Sequence, residues 1–391
     1  MKQLENYTLE KLIGKGMLTK VYLTSKKDDP NKYVTKEWNR EEVDNNEYKK
    51  YLNNSINILK NLNHPNIIKL KDIKKSKNNY FVMLEYCNGG NLSEALEKYI
   101  QKNGKPFDEK IVQYLMKQII NAFKYIHEKK IIHRNIALDN ILLNYDNEED
   151  KNNLNLMKAN IKINGFGFAC QISKEELKYS ILGYPINMDP LILKKLNSST
   201  KKKKQLGYNE MADIWSLGTI CYEMIIGKPI FDSEDLEELV EKVEDGSYSI
   251  PTTMSYEIVS FLNGMLQYDS KRRLTAEQLS RHDFLNKDIK DFHSINLQKV
   301  SKLIDEKGLK LNAKNNNSIW SIFNANSENL LTSILGSQFV KPINENEKIE
   351  FENLKKIEPN VISSSFLQLP SEGIPDNKEE MEKYKEPEYL F

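Results

Sequence analysis

Between Tyr7 and Tyr22 the chain reads Tyr-Thr-Leu-Glu-Lys-Leu-Ile-Gly-Lys-Gly-Met-Leu-Thr-Lys-Val-Tyr. Apolar and polar residues alternate on both sides of the glycines. A period of two sends successive side chains to opposite faces. The stretch therefore predicts a strand, a turn holding Gly14 and Gly16, and a second strand leaving through Val21. Ile67 to Tyr86 predicts two more strands, and from Glu109 to Lys129 the spacing becomes helical. Tyr145 to Asn160 is polar, acidic and Asn-rich, and it reads as a solvated loop between two short strands. Beyond residue 289 the pattern gives way to Asn-rich and Pro-containing segments. One exception is Ser327 to Gly336, where Ser327 can cap, Gly336 can terminate, and Leu330, Leu331, Ile334 and Leu335 share a face. So short a helix is marginal alone in water, so it is expected to dock on the preceding domain or on a partner.

With 391 residues the chain has room for one large domain and an extension. Its 57 basic and 56 acidic residues nearly cancel to a net charge of +1, which gives no case for binding nucleic acid or a charged membrane surface. No apolar run approaches the length of a membrane helix, and no apolar stretch follows a basic start as in a signal peptide. Cys87, Cys170 and Cys221 are scattered, without metal spacing, and fit a reduced cytosolic setting.

The stretch Ile131-Ile-His-Arg-Asn-Ile-Ala-Leu-Asp-Asn-Ile-Leu-Leu143 resembles the catalytic loop of eukaryotic protein kinases, His-Arg-Asp-x-Lys-x-x-Asn between two apolar runs. His133, Arg134 and Asn140 match in place. The proton-accepting Asp of the family is Asn135 here, and its phosphate-holding Lys is Ala137. Ile161-Lys-Ile-Asn-Gly-Phe-Gly-Phe-Ala169 resembles the magnesium motif, with Phe166 in place and Gly165 at the Asp position. Glycine supplies no carboxylate for the metal. Asn164 is one place early and faces the other way along a strand.

Further resemblances lie in order on either side. The glycines at 14 and 16 match the glycine-rich loop, with Thr19 in place of its third glycine. The resemblance makes Lys32 to Lys36 the next strand and Lys36 the lysine that contacts the α- and β-phosphates. It makes Glu41 to Asn63 one long helix, whose glutamate position falls on Ser55. Glu47 lies more than two turns earlier, so Lys36 is expected to lack its ion-pair partner. Glu85 to Leu92 resembles the hinge, with Leu84 as gatekeeper. Ser180 to Leu191 resembles the end of an activation segment, Gly-Ser-Pro-x-x-Met-Ala-Pro-Glu, in which the final Glu has become Leu191. Its usual partner, Arg273, is then expected to find another partner or to reach solvent, because a buried unpaired charge is costly. Met211 to Gly218 resembles the helix whose Asp213 holds the catalytic-loop backbone. Lys201 to Lys204 form a basic insertion, read as a solvated loop.

The resemblance implies an α+β, two-lobed protein-kinase-like fold over 7–288, with an N-lobe at about 7–84, a C-lobe at about 88–288, and a mostly irregular extension over 289–391 with the helix near 327–335. The hinge and the activation-segment end look closest to the Unc-51-like serine/threonine kinases. The losses at Asn135, Ala137, Gly165 and Ser55 all fall on chemistry. Fold positions are kept: His133 and Phe166 join Leu59 and Leu70 in the expected apolar spine. The expected adenine site is lined by Ile13, Val21, Val34, Leu84, Leu92 and Leu142, with Gly14, Gly16, Lys36, Glu85 and Cys87 beside it. The implied function is that of a pseudokinase, a scaffold or allosteric module that binds ATP or ADP weakly. Magnesium is expected to bind weakly or not at all, with Asn140 as the one familiar ligand. The alternatives are a serine/threonine kinase with rearranged chemistry, for instance through Asp139, and a structural component of a cytoskeletal or ciliary assembly. Expected partners are proteins, met through the kinase lobe and the extension. The expected location is cytoplasmic, with the cytoskeleton or ciliary axoneme as alternative.

Overall fold

The computed structural model describes residues 2–16, 19–44, 48–173, 177–197, 207–246, 248–251 and 253–292. The helix expected near 327–335, the lysines at 201–204 and Glu47 lie outside the described residues. The chain divides into a β-rich unit, residues 2–63 and 68–87, and a helical unit, residues 64–67 and 88–292.

Six antiparallel strands make the sheet of the first unit: β1 (Lys2–Leu4), β2 (Tyr7–Lys15), β3 (Thr19–Lys26), β4 (Asp29–Asn39), β5 (Leu70–Lys75) and β6 (Asn79–Glu85). Their spatial order is β1-β2-β3-β4-β6-β5. Alternation sorts the side chains as the sequence predicts. One face buries Tyr7, Leu9, Tyr33, Phe81 and Met83 in a cluster, with Leu4 and Tyr22 packed against it. The strand β1 was not anticipated, because three residues are too few to show a period. It is held by its pairing with β2, Lys2 opposite Leu9, and by the Lys2 ammonium. That ammonium bonds the carboxylate of Glu37, which is buried, and lies 5.0 Å from the centre of the Phe81 ring. Of the long helix expected over 41–63, the structure describes two stretches, α1 (Arg40–Asp44) and α2 (Tyr48–Asn61), and residues 45–47 between them lie outside the described residues. Arg40 and Lys49 both reach Asp44, so charges from both helices meet where α1 ends.

The second unit is built on α3 (Leu92–Asn103) and α4 (Glu109–Glu128). Val112, Leu115, Met116, Ile119, Ile120, Phe123 and Ile126 form the buried stripe of α4, at the three- and four-residue spacing that one helix face requires. The strand β7 (Ile131–Ile132) leads into the candidate site, and β8 (Ile141–Asn144) leaves it to pair with β9 (Asn160–Ile163). Between β8 and β9 the expected solvated loop is only partly that. A short helix, α5 (Glu148–Asn152), is capped by Asn147, and Tyr145, Leu156 and Ala159 are buried. Asn88 fixes the start of this insertion by exchanging two hydrogen bonds with the Tyr145 backbone, each 2.9 Å. After β9, the short β10 (Cys170–Gln171) pairs with β7. The helices α6 (Pro190–Leu196), α7 (Met211–Ile226), α8 (Leu236–Asp245), α9 (Tyr256–Met265), α10 (Ala276–Ser280) and α11 (Asp283–Asn286) complete the unit. Of these, α7 is buried on nearly all sides, as a helix apolar around its whole circumference must be.

The fate of Arg273 answers the question raised by Leu191. Its side chain is fully buried, and its Nη1 lies 2.5 Å from Oδ2 of Asp189, also buried. The remaining donors reach the carbonyls of Gln267, Met211 and Tyr268, and the guanidinium lies 5.2 Å from the Trp215 ring. Asp189 stands two residues before the position where the family has its glutamate. It does a second job with its other oxygen, which accepts the Leu191 N–H at 2.8 Å and caps α6. The pair is buried, so removing one partner leaves an uncompensated charge. Asp189→Ala is expected to destabilise the protein by about 3–5 kcal/mol. Adding Leu191→Glu to that variant should restore part of the loss. Urea unfolding of the three proteins measures both effects.

Candidate functional site

The loop between β7 and β8 is organised by one buried carboxylate. Asp213 on α7 accepts the backbone N–H of His133 at 2.8 Å and that of Arg134 at 2.9 Å. His127, from the last turn of α4, meets the same carboxylate at 3.0 Å. Two adjacent amides can converge on one carboxylate only if the backbone turns sharply, and Arg134 takes a left-handed φ of 64° to do so. That conformation is unfavourable for a residue with a side chain and persists because the surroundings enforce it. Burial alone would raise the Asp213 pKa; His127, His133 and the donated N–H bonds outweigh it and hold the carboxyl below its usual range. Burial lowers the His133 pKa, against the pull of Asp213, and keeps the ring neutral. Its Nε2–H donates to the Asn164 carbonyl at 2.9 Å, and its Nδ1 accepts the Asn135 N–H at 3.3 Å. The ring meets Phe166 edge-on, with centres 4.7 Å apart. Arg134 completes the frame by donating from Nε to the Phe168 carbonyl at 2.6 Å.

Inside this frame several motif positions carry other side chains. Asn135 presents a neutral amide where a proton acceptor would stand, and Ala137 is buried with no group to meet a phosphate. The Asn140 amide donates from Nδ2 to the Asn135 carbonyl at 2.8 Å, so its geometry is set by the loop. Gly165 has a φ of 89°, and a Cβ placed there would lie 2.6 Å from both Cγ and Oδ1 of Asn140. Missing side chain and tight contact are thus two aspects of one arrangement. Asp139 is exposed on the turn before Asn140, outside the set of groups fixed by Asp213. No group of three or more His, Cys, Asp or Glu side chains suited to a metal occurs among the described residues.

In the β-rich unit the register lines up Gly14, Val21, Lys36 and Val82 across four strands, with Val34 opposite Leu84 in a neighbouring row. This is the face opposite the Tyr7 cluster. Lys36 has no ion-pair or hydrogen-bond partner among the described residues, and burial lowers its pKa. Ser55 on α2 offers a hydroxyl where the carboxylate was expected to be missing. Gly16 donates its N–H to the Thr19 carbonyl at 2.8 Å, and a Cβ on Gly16 would lie 2.7 Å from Thr19 Oγ1. Ile13 is 46% exposed. Glu85 is tied to Lys69 twice, through its N–H and through its carboxylate, and Cys87 follows at the end of the unit. Leu142 belongs to the helical unit, on β8, as do Leu92 and Asn140.

Residues 7–285 match the family model of the protein kinase domain. The chain belongs to the protein kinase family. Serine/threonine-protein kinase atg1 of Dictyostelium discoideum is 31% identical over 291 residues, which cover 73% of this chain and 40% of the relative. Serine/threonine-protein kinase ULK3 of Xenopus laevis is 30% identical over 314 residues, 78% of this chain and 60% of the relative. Probable serine/threonine-protein kinase fhkA of the same Dictyostelium is 31% identical, covering 72% of this chain and 50% of the relative. The chain thus spans about half the length of the curated relatives it matches. No helix among the described residues is long and apolar enough to cross a membrane.

His133, Arg134, Asn140, Gly165, Phe166 and Asp213 are brought together; Ser55 and Lys36 lie in the other unit, in α2 and β4. Sequence reasoning missed Asp189 and His127. The signal for Asp189 was a carboxylate two places before Leu191; His127 had none short of knowing where α4 ends.

Two outcomes follow from this geometry. Gly165→Asp puts a side chain at a left-handed φ and drives it into Asn140. A loss of about 1–2 kcal/mol is expected, with no gain of magnesium-dependent nucleotide binding in calorimetry. The lowered pKa of Asp213 means that its ionised form stabilises the fold fully above about pH 4, the ordinary carboxylate value, and less as pH falls through its own lower value. Asp213→Asn should therefore cost about 1.5–3 kcal/mol at neutral pH. The gap between variant and parent should close as denaturation is followed from pH 4 downward.

Proposed function

We propose that this protein is a pseudokinase, a kinase-shaped module that recognises and positions protein partners without transferring phosphate. The observation that carries the reading is the contrast around Asp213. Every group that shapes the catalytic loop is present and bonded, while Asn135, Ala137 and Gly165 withhold the base, the phosphate-holding cation and the metal carboxylate. Phosphoryl transfer depends on positioning and charge stabilisation together, and a rigid loop without those charges supplies only the first. Magnesium fits the residues present poorly. Gly165 has no ligand, and Asn140, whose Nδ2 donates to the Asn135 carbonyl, offers only a neutral amide oxygen.

A nucleotide fits better than the metal. Kinase folds imply an ATP site, and Lys36 pairs with no carboxylate among the described residues, on the row that carries Gly14 and Val21. Without a metal carboxylate, the triphosphate loses part of its charge compensation. ATP or ADP is expected to bind in the high micromolar range, about −5 to −6 kcal/mol. The likeness to atg1 and ULK3 supports placing the module among Unc-51-like kinases.

The deciding experiment is transfer of labelled γ-phosphate to generic substrates and to the protein itself. No incorporation is expected. Turnover that needs magnesium and vanishes in Lys36→Ala would refute the proposal. In a thermal-shift titration, ATP at roughly 100 times its dissociation constant should stabilise the protein by about 2.7 kcal/mol. That shift should be equal with magnesium and with chelator, and should shrink in Lys36→Ala.

A further inference from the structure

We infer that residues 178–180 of the activation segment are fixed in place by Tyr208 and Lys195, so that their order does not depend on phosphorylation. Kinase activation loops are commonly ordered when an added phosphate pairs with arginine. Here unmodified groups make the connections. Lys178 and Tyr208 form an isolated antiparallel bridge with two backbone hydrogen bonds, of 2.8 and 2.9 Å. The Tyr208 hydroxyl donates to the Ser180 carbonyl at 2.7 Å. It accepts from Nη1 of Arg134 at 3.5 Å, the long limit of such a bond. Burial, the largest influence, pushes the Tyr208 phenol up to about 12, so it stays a hydrogen-bond donor throughout the neutral range.

The residue between these anchors is held from below. Lys195 on α6 is 2% exposed, its ammonium donates to the Tyr179 carbonyl at 3.2 Å, and it lies 5.2 Å from the centre of the Tyr179 ring. A buried ammonium needs such partners, because losing its hydration is costly. The Lys195 ammonium therefore has reason to hold Tyr179 where it is. The fit is also close on the far side. A Cβ at Gly207 would lie 2.5 Å from Leu177 Cβ and 3.1 Å from Tyr179 Cε1. The three consecutive residues 178, 179 and 180 are thus each anchored, the outer two by Tyr208 and the middle one by Lys195. Arg134, which leads the catalytic loop, is joined to the same network by way of Tyr208.

The test is hydrogen–deuterium exchange of the full-length protein, read at the amides of Lys178 and Tyr208, with α4 as internal reference. Phosphatase treatment should leave both amides as protected as before. Tyr208→Phe and Lys195→Met should each speed their exchange about tenfold, the equivalent of one lost hydrogen bond, while α4 stays protected. Gly207→Ala should loosen the same amides by steric conflict alone, and it serves as the arm to read if Lys195→Met also exposes α4. Protection that disappears on phosphatase treatment would overturn the inference. So would exchange unchanged in both Tyr208→Phe and Gly207→Ala.

Discussion

The carboxylate of Asp213 is the constraint on which the candidate site depends. It sits at the start of α7, a helix with almost no exposed side, so it cannot move without disturbing the core around it. From that fixed point it gathers the amides of His133 and Arg134 and the ring of His127. The strained backbone at Arg134 follows, and so does the orientation of His133 onto Phe166 and Asn164. A buried charge with three good partners resists change, because removing any one leaves the rest under-satisfied. This explains how the loop can keep its shape while Asn135 and Ala137 stand where the family motif has Asp and Lys. Neither Asn135 nor Ala137 is among the groups that hold the loop through Asp213, so their substitution leaves the frame intact.

The same logic explains Asp189 and Arg273. A buried guanidinium demands a counter-charge, yet the demand is for a carboxylate within reach, not for a particular position in the chain. Moving the acid from residue 191 to residue 189 satisfies it and gains a helix cap. The ion pair at the base of the activation segment is therefore preserved in substance although the motif is broken. The structural requirement has been met by new means, whereas Gly165 leaves no carboxylate at the magnesium-motif position.

Much of this was legible in the chain itself. Alternation gave β2, β3, β5 and β6, helical spacing gave α4, and ordered motifs gave the family and the residues of the loop. These features are local or fixed by spacing, so one dimension suffices to see them. The β1 strand and the partly buried insertion between β8 and β9 were not legible. Each owes its form to contacts made at a distance: Lys2 with Glu37, and Asn88 with Tyr145.

The sequence by itself determined which chemical groups exist. No folding can give Gly165 a carboxylate or Asn135 a proton affinity, and that part of the functional reading needed no coordinates. What only the tertiary structure decided is how the remaining groups are satisfied. Asp189 reaches Arg273 across 84 residues, and Tyr208 reaches Ser180 across 28. Lys195 is buried under Tyr179 although nothing in its local pattern sets it apart from the exposed lysines of the chain. The reason is physical. Composition and spacing fix covalent chemistry and local backbone preference, but the cost of burying a charge depends on what surrounds it, and that is settled only when the chain has folded.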